Sequence, residues 1–207
     1  STIIDLSKTP YTILREGAVS ADDVFLALTA SLTIIGITGG TGSGKTTALN
    51  VIKEMGGLII DADEVYHKLL NESDAMLAAL NERFPGAIPE GTRDTKALGQ
   101  IVFSDPEELR ALNAITHKFV SGEIAGALTD WAKRGGELAA IDAIDLIEGG
   151  ASNICKATVG ITAPTETRIE RLMKREGISR EYAALRISAQ KPNEYFETNC
   201  DYTVLND

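Results

Sequence analysis

Residues 39–47 read Gly-Gly-Thr-Gly-Ser-Gly-Lys-Thr-Thr, directly after the run Leu32-Thr33-Ile34-Ile35-Gly36-Ile37-Thr38. The spacing Gly39-x4-Gly44-Lys45-Thr46 is that of a phosphate-binding P-loop, set where a short buried strand ends and a helix begins. Glycines let backbone N–H groups turn inward and converge on phosphate oxygens, at a helix N-terminus whose dipole favours anions. Lys45 is placed to reach β- and γ-phosphates, and the Thr46 hydroxyl to ligate Mg²⁺. Gly39, Gly40, Thr41, Gly42, Ser43, Gly44, Lys45, Thr46 and Thr47 form the candidate nucleotide-binding set. The loop implies use of a nucleoside triphosphate.

With 207 residues and a 43 % hydrophobic fraction, the chain can bury one core and still carry a small inserted subdomain. Its net charge is −10 and no basic stripe is evident, which argues against nucleic acid as a charge-driven partner. Positive charge for an anionic substrate must then be concentrated locally, in the P-loop and in residues 168–175. The two cysteines, Cys155 and Cys200, form no CxxC pattern, so neither a disulfide framework nor a zinc site is indicated. They read as small buried hydrophobes of a reducing cytosol. No apolar run reaches the length of a membrane span. The first residues carry Asp5, Glu16, Asp22 and Asp23 rather than a basic segment followed by an apolar one. These features predict a cytoplasmic protein with no membrane partner.

Apolar runs at 32–38, 58–61, 138–142, 157–162 and 202–205 read as five strands. Helical patterns lie between them: 44–55, a segment opening at Asp63, most of 74–133 with a turn at 85–93, and 164–176 closed by Gly177. Ser104-Asp105-Pro106-Glu107 is a strong helix start. Strands alternating with helices predict an α/β fold, a parallel sheet covered on both faces. Residues 1–31 stand apart. Tyr11-Thr12-Ile13-Leu14 reads as a short edge strand and Ser20-Ala21-Asp22-Asp23 as a helix N-cap, but no chemistry is visible there.

Asp61 and Asp63 follow the second strand. Ligands of open parallel sheets bind at the carboxyl ends of strands, so both carboxylates are expected at the same crevice as the P-loop. One suits a base toward an acceptor hydroxyl and the other an organiser of Mg²⁺ through water. The plainer reading makes Asp63 a helix cap. Asp142 closes the third strand at a Walker-B-like position suited to Mg²⁺. Arg168, Arg171 and Arg175 share one helix face, either as a solvated stripe or as a lid that clamps triphosphate oxygens. His117 and His67 lie in helical stretches where a packed histidine is the simpler reading. No Asn-Lys-x-Asp tetrapeptide occurs, which argues against a GTPase.

Laid out in this order, the chain resembles the dephospho-coenzyme A kinase family. The residues that carry the resemblance start with the segment from Ile34 through the P-loop, Ile59-Ile60-Asp61-Ala62-Asp63-Glu64, and Ala97-Leu98-Gly99-Gln100-Ile101-Val102-Phe103-Ser104-Asp105-Pro106. They continue with Asn113-Ala114-Ile115-Thr116-His117, the segment from Arg168 to Gly177, and Asp201-Tyr202. The resemblance implies a P-loop NTPase three-layer α/β/α fold over residues 32–207, after an N-terminal extension at 1–31. A helical substrate-binding insert would occupy about 64–135 and a lid about 168–192. It implies ATP-dependent phosphorylation of the ribose 3′-hydroxyl of dephospho-CoA, with Mg²⁺. Asp63 becomes the base, Lys45 and Thr46 serve phosphates and metal, Asp142 the metal, and Arg171 acts from the lid with Arg175 on the nucleotide. Thr38, Asp63, Arg93 and His117 would meet the acceptor. Three departures keep a related kinase with another acceptor in view. An Asp-Arg pair of the family reads Asp94-Thr95, with Arg93 one step earlier. A Pro-Leu-Leu-Phe-Glu run reads Ile144-Asp145-Leu146-Ile147-Glu148, and a His-Pro pair reads His117-Lys118. The intact Lys45, Thr46, Asp63 and Arg171 argue against a regulator that binds nucleotide without transfer.

Overall fold

The run ending at Thr38 becomes the central strand of the protein. In the computed structural model, which describes residues 1–89 and 92–207, β3 spans Thr33–Thr38. Ile34 and Ile37 are buried on it, as its near-continuous apolar character requires for a strand covered on both faces. The other elements, in chain order, begin with β1 (Ile3–Asp5), β2 (Thr12–Arg15) and α1 (Ala21–Ser31) before β3. After it come α2 (Lys45–Glu54), β4 (Leu58–Asp61), α3 (Ala62–Glu72), α4 (Asp74–Arg83), α5 (Lys96–Ser104) and α6 (Pro106–Lys133). β5 (Leu138–Asp142), a short 3-10 turn (Ala151–Ile154), β6 (Ala157–Thr162), α7 (Thr165–Glu176), α8 (Arg180–Ser188), α9 (Asn193–Asn199) and β7 (Tyr202–Leu205) complete the chain.

The five strands expected from the sequence form one parallel sheet in the order β4-β5-β3-β6-β7. Parallel neighbours need crossovers, and the helices between them supply these. The β3–β5 register pairs Ile37 with Asp142, so the carboxylate that ends β5 stands level with the last residues of β3. Ile37, Ile52, Ala140 and Ile161 form the core that joins α2 to the sheet.

The chain divides into two compact units, residues 1–60 with 128–207, and residues 61–127. The second is helical and has its own core of Met76, Leu80, Phe84, Leu98 and Val102. Asp105 accepts a hydrogen bond from Glu107 N at 2.8 Å where α5 gives way to α6, the start signal that Asp-Pro announces. The turn expected at 85–93 includes Glu90 and Gly91, which lie outside the described residues.

The strand expected at 11–14 is present as β2, apart from the main sheet. β2 pairs antiparallel with β1 in a separate two-stranded sheet. Three or four residues of mixed polarity complete a hairpin more readily than they extend a buried sheet. α1 carries the full capping box of Ser20 and Asp23. Its contacts fall on the last turns of α6. The Lys133 ammonium sits 4.9 Å from the Phe25 ring centre, and Thr29 Oγ1 lies 3.4 Å from Thr129 Oγ1. Among the described residues no helix is long and apolar enough to cross a membrane.

β6 and β7 are locked at their start by a side chain. Asp201 Oδ2 accepts from Thr158 N and Thr158 Oγ1, both at 2.8 Å. These bonds favour the ionised form and hold the Asp201 carboxyl below the ordinary value of 3.8. A lowered folded-state pKa contributes stability that is present above the ordinary value and lost as pH falls through the lowered one. Urea midpoints at pH 7 and pH 3 should therefore drop further in the native protein than in Asp201→Asn, which starts lower at pH 7. An identical acid-induced drop in both would remove Asp201 from the acid response.

Candidate active site

The loop leaves β3 at Thr38, whose hydroxyl donates to Ile144 O at 3.2 Å. It ends at Gly44, the N-cap of α2, in the left-handed conformation at φ 97°. Among the described residues no side chain caps this helix. Thr47 N already donates to Gly44 O at 3.0 Å, so the N–H groups of Lys45 and Thr46 are the kind of orphan donors that an anion satisfies. Ser43 is buried and its hydroxyl has no hydrogen-bond partner among the described residues. A buried polar atom without a partner costs about 1–3 kcal/mol, so this one suits a ligand oxygen.

Lys45 opens α2 and lies 3.0 Å from Asp142 Oδ1. Both side chains are largely buried, at 17 % and 12 % exposure, so the pair is well shielded from solvent. The strand register sets the level of Asp142, and the structure brings the two motif residues into contact. Thr46 and Thr47 follow on the first turn of α2.

The outer side of the loop is held by donors from far along the chain. Arg168 Nε donates to Thr41 O at 2.9 Å. Arg171 Nη1 reaches Gly42 O at 3.4 Å, Ser43 O at 3.3 Å and Asn206 O at 3.1 Å. Asn206 Nδ2 donates to Ser43 O at 2.8 Å, and Asn206 N is fixed to Thr162 O at 2.8 Å. With the carbonyls of residues 41–43 engaged outward, the peptide planes of the loop have a defined orientation. Gly40 makes this possible, because a Cβ there would overlap the Arg168 guanidinium. Arg168 is only 3 % exposed, and burial pulls its pKa down. The arginine face read from spacing therefore splits. Arg168 and Arg171 lie against the loop, whereas Arg175 pairs with Glu176 at 2.6 Å on the surface.

The aspartate pair also divides. Asp61 is the N-cap of α3, accepting from Asp63 N at 2.9 Å and Glu64 N at 3.0 Å. The capping task that sequence alone could give to Asp63 belongs to Asp61. Within the helical unit, Arg93 donates to Leu70 O and to Asp74, at 3.0 and 2.9 Å, tying α3 to α4. His117 lies half-buried on α6. The same unit contains a cavity of about 670 Å³ lined by Tyr66, Thr95, Lys96, Gln100, Phe103 and Leu112, among others. Gln190 and Asn206 escaped the sequence reading. A single amide in a loop has no spacing or charge signature to mark it.

Residues 33–207 match the family model described as dephospho-CoA kinase. The chain belongs to the dephospho-CoA kinase family. A dephospho-CoA kinase of Dehalococcoides mccartyi is 40 % identical over 159 residues, 76 % of this chain and 80 % of that one. A crystal structure from Thermus thermophilus is 32 % identical with a TM-score of 0.71, covering 85 % of this chain and 89 % of that one. The dephospho-CoA kinase from Campylobacter jejuni is 26 % identical with a TM-score of 0.57, covering 84 % and 88 %. The chain is thus a P-loop kinase that phosphorylates dephospho-CoA to coenzyme A, with ATP as donor. Residues 1–32, with the hairpin and α1, lie outside the matched segment.

Gly44 combines its left-handed backbone with a close approach, since a Cβ there would overlap Asn206 Nδ2. Gly44→Ala should weaken ATP binding about tenfold or more by calorimetry, the scale of such strain. Binding within twofold of the native protein would show that Asn206 gives way freely.

Proposed function

We propose that this dephospho-CoA kinase transfers the γ-phosphoryl group of ATP in line to the ribose 3′-hydroxyl of dephospho-CoA, with the following division of labour. The Lys45 ammonium and the N–H groups of Lys45 and Thr46 bind the triphosphate, and Ser43 contributes a hydroxyl that has no partner among the described residues. The observation that carries this reading is the uncapped N-terminus of α2, with Lys45 held 3.0 Å from the carboxylate that ends β5. Transfer of this kind depends on positioning and electrostatics more than on covalent chemistry by the protein.

Thr46 and Asp142 are the residues that would hold Mg²⁺. A hydroxyl and a carboxylate are hard oxygen donors and few in number, which fits an ion that keeps several waters. Bound there, Mg²⁺ would neutralise phosphate charge as the bond to the leaving group lengthens. Lys45 then changes partner, from the Asp142 carboxylate to the phosphates.

Asp63 accepts the proton of the 3′-hydroxyl in this mechanism. Support comes from its place in the first turn after β4, at the carboxyl end of a sheet strand, and from Asp61 taking the capping role. Arg171 stabilises charge at the transferring group from α7, its Nη1 already on the loop carbonyls. Thr38, Arg93 and His117 belong to acceptor binding, and Arg175 to the nucleotide. A cytoplasmic location fits the two free thiols, both held up in pKa by burial, Cys155 to about 11.

Asp63→Asn should lower kcat by about 10²-fold or more, the scale for loss of a positioned base, while the ATP dissociation constant stays within threefold. Turnover equal to that of the native enzyme would remove Asp63 from catalysis. A parallel loss of ATP binding would assign it to the nucleotide instead.

A further inference from the structure

The P-loop has a second layer of control that its motif does not contain. Gln190 follows α8 in the short connection to α9 and is half-buried against Thr41. Gln190 Oε1 accepts from Thr41 N at 2.8 Å and from Arg168 Nη2 at 2.8 Å. Gln190 Nε2 donates to Thr41 Oγ1 at 2.6 Å. Arg168 Nε takes the remaining polar group, Thr41 O. All three polar groups of Thr41 are thereby fixed by two side chains that lie more than a hundred residues away in sequence.

The orientation of the amide is dictated by its neighbours. A backbone N–H and a guanidinium N–H can only donate, so the carbonyl oxygen of Gln190 must face them. The NH₂ group then faces the one partner able to accept, the Thr41 hydroxyl. Lysine, arginine or an apolar side chain at 190 would leave Thr41 N–H without its acceptor.

We infer that Gln190 is a positioning residue for ATP, acting through the Thr41 peptide and through Arg168 rather than by touching the reacting atoms. Thr41 N–H is committed to Gln190 and Ser43 N–H to Gly40 O at 3.1 Å. The phosphate-facing donors of the loop are then those that follow, at Gly42, Gly44, Lys45 and Thr46. Rotation of the Thr41 peptide would swing the Gly42 N–H away from the anion, since consecutive peptide planes share the same Cα. Gln190 also keeps the buried Arg168 charge beside the loop, where it adds to the attraction for phosphate in a protein of net charge −10. This inference rests on the kinase reading above.

The test uses Gln190→Met, which keeps the length of the side chain, beside Gln190→Ala. Three quantities are measured in the full chain: the dissociation constant of Mg·ATP without acceptor, the KM for dephospho-CoA, and the melting temperature. In both variants Mg·ATP should bind about tenfold more weakly, with KM for dephospho-CoA within twofold and melting within a few degrees of the native protein. Native Mg·ATP affinity in Gln190→Met would overturn the inference, whatever Gln190→Ala does. A comparable rise in both the dissociation constant and the KM together with a large drop in melting temperature, in both variants, would also overturn it, by making Gln190 a general scaffold residue. The binding measurement needs no acceptor, so a native protein that binds Mg·ATP but ignores dephospho-CoA would sink the kinase reading and leave the Gln190 comparison decisive on its own.

Discussion

The site depends on where the carbonyls of the phosphate loop point. A glycine-rich turn can present N–H groups inward only if its C=O groups face outward and find donors there, because a buried carbonyl without a partner is destabilising. Arg168, Arg171 and Asn206 supply those donors to Thr41, Gly42 and Ser43. Two of them are on α7 and the third follows β7. β6 and β7 continue the sheet on one side of β3, so the strand order brings the last third of the chain alongside a loop near residue 40. The Asp201–Thr158 lock at the start of β6 and β7 serves the same end.

The opposite neighbour of β3 supplies the opposite charge. β5 ends in Asp142 at the level of Ile37, which delivers a carboxylate to Lys45. The P-loop thus sits between a cationic and amide wall from β6, α7 and β7 and an anionic residue from β5. An overall acidic chain can bind a polyanion because charge is sorted strand by strand. The helical unit has a core of its own.

Much of this was legible in the sequence because it is periodic or local. The five strands, the P-loop and the Asp-Pro helix start each have a pattern within a few residues, and each is found in the structure. Sequence alone offers Asp63 as the helix cap, whereas the structure gives that task to Asp61; both residues satisfy the composition rule and only backbone conformation selects Asp61. The arginine stripe was visible as a stripe. That Arg168 is buried, Arg171 lies on loop carbonyls and Arg175 pairs on the surface depends on contacts across 120 residues or more for the first two. Gln190 and Asn206 were invisible for the same reason. The segment at 11–14 gave a strand signal but no partner, and Ile3–Asp5, which pairs with it, gave none; the hairpin is a tertiary choice.

The most direct measurement is ADP release from Mg·ATP by the purified protein, with and without dephospho-CoA, alongside Lys45→Ala. The expected result is strong stimulation by dephospho-CoA, coenzyme A as the product, and loss of both in the variant. ATP binding without acceptor-dependent ADP release would contradict the account.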